Sequence, residues 1–353
     1  MKLTTCAIIA FLISTIIYAF QPRGFFDDEI RYRVDCRRKL FMLLLPFVFF
    51  QGFRTVTYYS DNVSYWNDYL YHSFTLSDAL NAPKDGGWYI FQMLLQKISS
   101  NPRFLMIALA VLFALAFVMF VTRVSDKKWL LLFLFVCFGL WKFQFSAMRQ
   151  CTAIMLCMIA IKYVEEKKPV KFYLLILLAY TIHATAIIFI PVYFVRFLSD
   201  TKRDRTIMII AAIVVSALSS SIFMWVSQNV ADYERYAIDY SDNGGNIFAI
   251  IAIVITVFSE INRKGLLESK PGLLPYMYLN FVFTCICILR IKFPMLERLK
   301  FYYIPFAIIV FAESLEFYAQ THEKGKYVEM AALVLSFAYF LVNTQGYSYE
   351  LCM

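Results

Sequence analysis

The chain has 353 residues, 61% of them hydrophobic and only 17% charged, a balance that excludes a soluble domain. Its net charge of +9 falls in short loops between apolar runs, so it reads as membrane topology and not as a nucleic-acid patch. Eight cysteines without C-x-x-C or Cys/His spacing support neither a zinc site nor a disulfide framework.

Apolar runs of spanning length, about 17–25 residues, recur at 4–20, 38–54, 103–122, 129–146, 148–164, 206–224, 246–262, 272–290, 299–316 and 326–343. They predict an all-α polytopic membrane protein with about ten transmembrane helices, in a single integral membrane domain over 1–353. The first run lacks a small-x-small site before Gln21 and a second run follows closely, so it is expected to remain uncleaved. Basic residues cluster in 21–39 and around Arg123, Lys128, Lys162, Lys168, Lys202, Arg205, Arg263, Lys270 and Lys324. By the positive-inside rule these loops are cytoplasmic, which leaves both termini outside.

The stretch 170–198 conflicts with a simple alternation of spans. Both of its flanks are basic, yet the apolar part, 172–195, is too short for two crossings at about 1.5 Å per residue. A half-depth helical hairpin meeting near His183 fits that arithmetic, and a single long tilted helix is the alternative. Irregular backbone at membrane depth requires burial in protein or a wet cavity.

Arg149 and His183 both fall within apolar helical stretches. An ionisable group at that depth costs about 2.5–3.5 kcal/mol on insertion scales, so each is a functional candidate by default. The alternatives are an interfacial helix cap for Arg149 and interhelical packing for His183. Three segments are expected outside: 54–101, 225–245 and 290–301. The first carries Asp61, Asp68, Asp78 and Asp85 among Tyr58, Tyr59, Tyr65, Trp66, Tyr69, Tyr71 and Trp88, a mixture suited to sugars. Its end, 88–99, places Trp88, Phe91, Leu94, Leu95 and Ile98 on one face and is expected to lie at the outer interface.

Arg54, Arg149, Arg290 and Arg298 map to the outer third of the membrane, and a planar guanidinium suits a pyrophosphate. Snorkelling from helix ends would give the same pattern. The absence of a glycine-rich phosphate loop and of metal-spaced carboxylates speaks against a nucleotide-dependent enzyme, and no cofactor or metal is expected.

The stretches FRTVTYYSDNVSYWNDY, GGWYIFQMLLQKIS, SAMRQCTAIMLCMIAIKYVEEKKPVKFYLLILLAYTIHATAIIFIPVYFV, RYAIDY and ERLKFYYIPFAII together resemble the EpsG family over residues 38–316. The most specific part is Arg149-Gln150 followed by His183. Arg54, Asp61 and Tyr65 add to it, as do Glu297-Arg298 and Tyr302-Tyr303. The chain departs from the family in having Tyr59-Ser60 before the early Asp, which leaves the geometry of that loop open.

The resemblance implies a bundle similar to GT-C glycosyltransferases, in a bacterial inner membrane with its active face periplasmic. It further implies similarity to Wzy-type O-antigen and capsule polymerases, which join undecaprenyl-pyrophosphate-linked repeat units. Partners would then be lipid-linked oligosaccharides, membrane lipid and a chain-length regulator protein, and not nucleic acid. On that reading Asp61, His183 and Arg149 are catalytic candidates, with Asp61 or His183 as base. Arg54, Tyr65, Gln150, Arg290, Arg298, Tyr302 and Tyr303 would contact substrate. A flippase of lipid-linked sugars, a non-catalytic assembly subunit and a membrane acyltransferase compete with this reading. The flippase calls for internal repeats, and the halves show none. The acyltransferase calls for a close His–Asp pair, and the chain holds only three histidines.

Overall fold

A computed structural model describes residues 2–21, 28–56, 60–82, 84–229 and 245–350. Among them the named elements are all helices, and an isolated antiparallel bridge joins Lys2 and Ser348. The chain forms two compact units, Met1–Ile190 with Met330–Met353, and Pro191–Glu329.

In the first unit α1 (Leu3–Ala19) packs on α2 (Glu29–Gly52), where the Ser14 hydroxyl donates to the Leu43 carbonyl at 2.7 Å. Three short helices follow: α3 (Ser60–Tyr71), α4 (Leu76–Asn81) and α5 (Gly86–Gln96). Asn101 caps α6 (Pro102–Val121) by accepting from the Arg103 amide, with Pro102 in the first turn where no N–H is needed. Long α6 lies against both α2 and α9 (Met148–Glu165), and α10 (Pro169–Ile182) lies along α9.

The run 129–146, expected as one span, is divided. Helix α7 (Lys128–Cys137) stops before Gly139, whose φ of +83° favours glycine, and only one turn, α8 (Leu140–Phe143), follows. Trp141 ties this broken stretch to α2 by donating its indole N–H to the Phe47 carbonyl at 3.1 Å. At His183 the chain is extended, and helix resumes as a long 3-10 segment, Ala184–Phe197. The stretch 170–198 is therefore two helices meeting at His183.

The second unit holds α11 (Lys202–Asn229), α12 (Gly245–Ile261), α13 (Arg263–Ser269), α14 (Leu274–Lys292), a 3-10 segment Pro294–Tyr302, and α15 (Ile304–Thr321). The chain returns to the first unit in α16 (Gly325–Asn343). By length and composition three described helices can cross a membrane: Pro102–Val121, Pro271–Lys292 and Gly325–Asn343. Two bent pairs, broken by 68° at Asn262 and by 56° at Tyr303, raise the number to five. Among the described residues the fold is that of a helical membrane protein with three to five such candidate spans. Runs such as 129–146 and 299–316 are apolar but are not continuous helices.

In helix α5, Trp88 is buried and Phe91 and Leu95 pack inward, whereas Leu94 and, just beyond the helix, Ile98 are exposed. Tyr58, Tyr59 and most of the expected outer segment 225–245, including RYAIDY, lie outside the described residues.

Candidate functional site

A single apolar cluster sets the positions of the polar groups in the first unit. Tyr69, Trp88, Leu105, Met106, Met148 and Ile182 are buried together, with Tyr65, Trp66 and Phe91 packed against them. Met148 immediately precedes Arg149, Ile182 precedes His183, Trp88 follows Asp85 by one helical turn, and Tyr69 follows Tyr65 by one turn. Burial of the apolar neighbour thus places each polar side chain at the edge of one core.

Asp85 joins these groups. Its Oδ2 lies 2.9 Å from Arg149 Nη1 and 3.8 Å from His183 Nδ1, while its Oδ1 accepts the Ala184 amide at 3.2 Å. Arg149 also donates its Nε to the Tyr65 hydroxyl at 3.1 Å, with the guanidinium carbon 5.7 Å from that ring's centre. Tyr65 in turn meets Trp88 edge to face at 5.5 Å. The Asp85 side chain is 5% exposed, that of Arg149 33% and that of His183 22%, so the cation and the imidazole open outward above a buried carboxylate. Burial pushes the Asp85 carboxyl upward, but His183, Arg149 and the Ala184 amide outweigh it and hold it below the ordinary carboxylate value.

Local sequence explains why the aspartate reaches this place. Asp85 is left-handed (φ 59°), a conformation Asp tolerates better than most residues. A Cβ on Gly86 would stand 2.4 Å from the Ala79 carbonyl oxygen, and one on Gly87 would stand 2.3 Å from Thr181 Oγ1. Both glycines therefore let the start of α5 press against α4 and against the end of α10, which carries His183.

Of the other expected site residues, Asp61 is half-buried in the first turn of α3, on the same helical face as Tyr65 four residues on. Gln150 is buried beside Arg149. Arg54 is 1% exposed and donates to the carbonyls of Gln51 (2.6 Å), Phe145 (3.3 Å) and Gln144 (3.4 Å), with its guanidinium 4.9 Å from the Phe145 ring centre. The Asn62 amide also donates to the Phe145 carbonyl. These contacts satisfy the irregular backbone after α8, so Arg54 braces the segment leading into Arg149.

Arg290, Arg298, Tyr302 and Tyr303 belong to the second unit. Arg290 pairs with Glu297 at 2.7 Å, and Lys300 pairs with the same carboxylate while lying 3.9 Å from the Phe248 ring centre. Tyr302 and Tyr303 are buried, and Arg298 is half-buried. Sequence reasoning missed Asp85 and Glu297 as partners of the arginines. The Asp-Gly-Gly turn was the available signal for the first. Among the described residues no group of three or more His, Cys, Asp or Glu side chains is placed to hold a metal ion.

Comparison with protein families matches residues 38–351 to the EpsG family. The chain belongs to the EpsG family. That membership and the apolar helices make it a membrane-embedded protein of polysaccharide biosynthesis. No curated protein and no solved structure matches it.

Proposed function

We propose that this EpsG-family protein is a Wzy-like glycosyltransferase. It joins oligosaccharide repeat units carried on undecaprenyl pyrophosphate at the outer face of a bacterial inner membrane. The observation that carries the reading is the Arg149–Asp85–His183–Tyr65 cluster, a half-open cation and imidazole on a buried carboxylate with aromatic rings alongside.

In the reaction an acceptor sugar hydroxyl gives its proton to His183 and its oxygen forms the bond to the donor's anomeric carbon. The bond from that carbon to the pyrophosphate oxygen breaks, and the leaving group keeps the electron pair. Arg149, aimed by Asp85 and Tyr65, pairs with the charge that develops there. Tyr65, packed on the buried Trp88, offers ring surface to the sugar, and Asp61, one turn from Tyr65, offers a carboxylate to its hydroxyls.

The test is genetic and biochemical. Deleting the gene should leave single repeat units on the outer-face lipid, and the wild-type copy should restore a ladder of chain lengths. Loss of all repeat units from the outer face would point to a transporter, and an unchanged ladder would end the polymerase reading.

A further inference from the structure

Asp85 stands between two partners that it does not serve equally. One oxygen is held by the Ala184 amide, next in sequence to His183, which fixes the carboxylate against the end of α10. The other is 2.9 Å from Arg149 Nη1 and 3.8 Å from His183 Nδ1. The second distance exceeds a hydrogen bond, and His183 Nδ1 is buried without one. A displacement of about 1 Å would make that bond.

We infer that Asp85 is a positioning residue handed from Arg149 to His183 when a pyrophosphate group occupies the site. The inference rests on the function proposed above and adds the order of events at the same cluster. A phosphate oxygen pair is the stronger acceptor for a guanidinium fork, because two charge-assisted bonds replace one. Once Arg149 turns to it, the buried carboxylate needs another donor, and His183 Nδ1–H, 3.8 Å away, can supply it. That bond selects the tautomer in which Nε2 carries the lone pair and can accept a proton. Proton acceptance thus switches on only with the donor bound, which suppresses reaction with water at an empty site. The charged group facing His183 is Asp85 from the start of α5; Arg149 from α9 faces Asp85, and Tyr65 of α3 and Tyr89 of α5 act on Arg149.

The experiment uses the full-length protein in micelles with ¹⁵N-labelled histidine and inorganic pyrophosphate as probe. His72→Gln and His322→Gln leave His183 as the only labelled ring. On adding pyrophosphate, neutral His183 should move to the Nδ1–H tautomer. In Asp85→Asn pyrophosphate should still bind, but the tautomer change should be lost. In Arg149→Gln the Nδ1–H tautomer should be present before any pyrophosphate is added, which tests the handover without the ligand. Binding with no change at His183, or the same change in Asp85→Asn, overturns the handover and leaves the polymerase reading standing. Failure of the wild-type protein to bind pyrophosphate at all overturns both.

Discussion

Arg149 draws its role from the directionality of its contacts. Nε is committed to the Tyr65 hydroxyl and Nη1 to Asp85, which fixes the plane of the guanidinium. A lysine at this place supplies a point charge and cannot present the paired donors that a phosphate accepts. Arg149→Lys should therefore lose about 10²–10³ in rate, nearly as much as Arg149→Ala, at equal membrane levels. Full-length glycan ladders from the lysine variant would refute the pyrophosphate role. Asp85 gives a pH test of the same contacts. Its carboxyl lies below the ordinary value of 3.8, so the ionised form contributes stability above that value and the contribution is lost as pH falls through the folded-state value. The melting-temperature advantage of the wild type over Asp85→Asn should therefore shrink as the pH is lowered below about 3.8. An advantage that stays constant under acid would show that Asp85 is not held ionised by its neighbours.

At the scale of elements, the site depends on how closely α5 docks against α10. Gly87→Ala would put a methyl group 2.3 Å from Thr181 Oγ1 and 3.0 Å from the Thr181 backbone carbon. Relief requires a backbone shift, at a cost of about 1–3 kcal/mol. Because that shift carries Asp85 away from His183, activity should fall further than the melting temperature implies. Wild-type activity from this variant would disprove the tight docking. A second element, the carboxyl-terminal strap, braces the other side. Tyr349 donates to the Phe50 carbonyl at 2.7 Å and packs on Phe50 and Phe145, while the Thr55 amide donates to the Glu350 carbonyl at 2.7 Å. Tyr349→Ala should cost about 3–5 kcal/mol, read by thermal denaturation in detergent. Helix breaks such as the one at His183 could be expected from the sequence, because charge on both flanks conflicted with span length. The brace of Arg54 and the pairing of Arg149 with Asp85 could not. They join residues 64 to 91 positions apart and depend on a left-handed turn, which composition does not encode.

For the whole molecule, the sequence was informative about class and less so about where an apolar run is broken. Hydropathy identifies a helical membrane protein, yet an apolar run such as 129–146 reads as a span even though Gly139 interrupts it. Sidedness can be tested with a membrane-impermeant maleimide in intact cells. The described native cysteines are buried or half-buried, and the parent protein sets the background. Asn62 is a poor reporter because it is buried against the Phe145 carbonyl, so the exposed neighbour Ser64 is preferred. Ser64→Cys should label from outside and Lys167→Cys only after permeabilisation, if the basic loops are cytoplasmic. The stretch around His183 gives the sharper test. Its α-helix of 14 residues spans about 21 Å. Its 3-10 segment, also 14 residues, spans about 28 Å. The α-helical half falls well short of a hydrocarbon core of about 30 Å and the 3-10 half nearly reaches it, while the two together exceed one crossing and fall short of two. A half-depth hairpin puts Lys167 and Lys202 on the same side, so cysteines at both should be protected in intact cells. A single tilted crossing puts them on opposite sides. Labelling of Lys202→Cys from outside, with Lys167→Cys protected, would therefore make His183 the kink of one span instead of the tip of a hairpin.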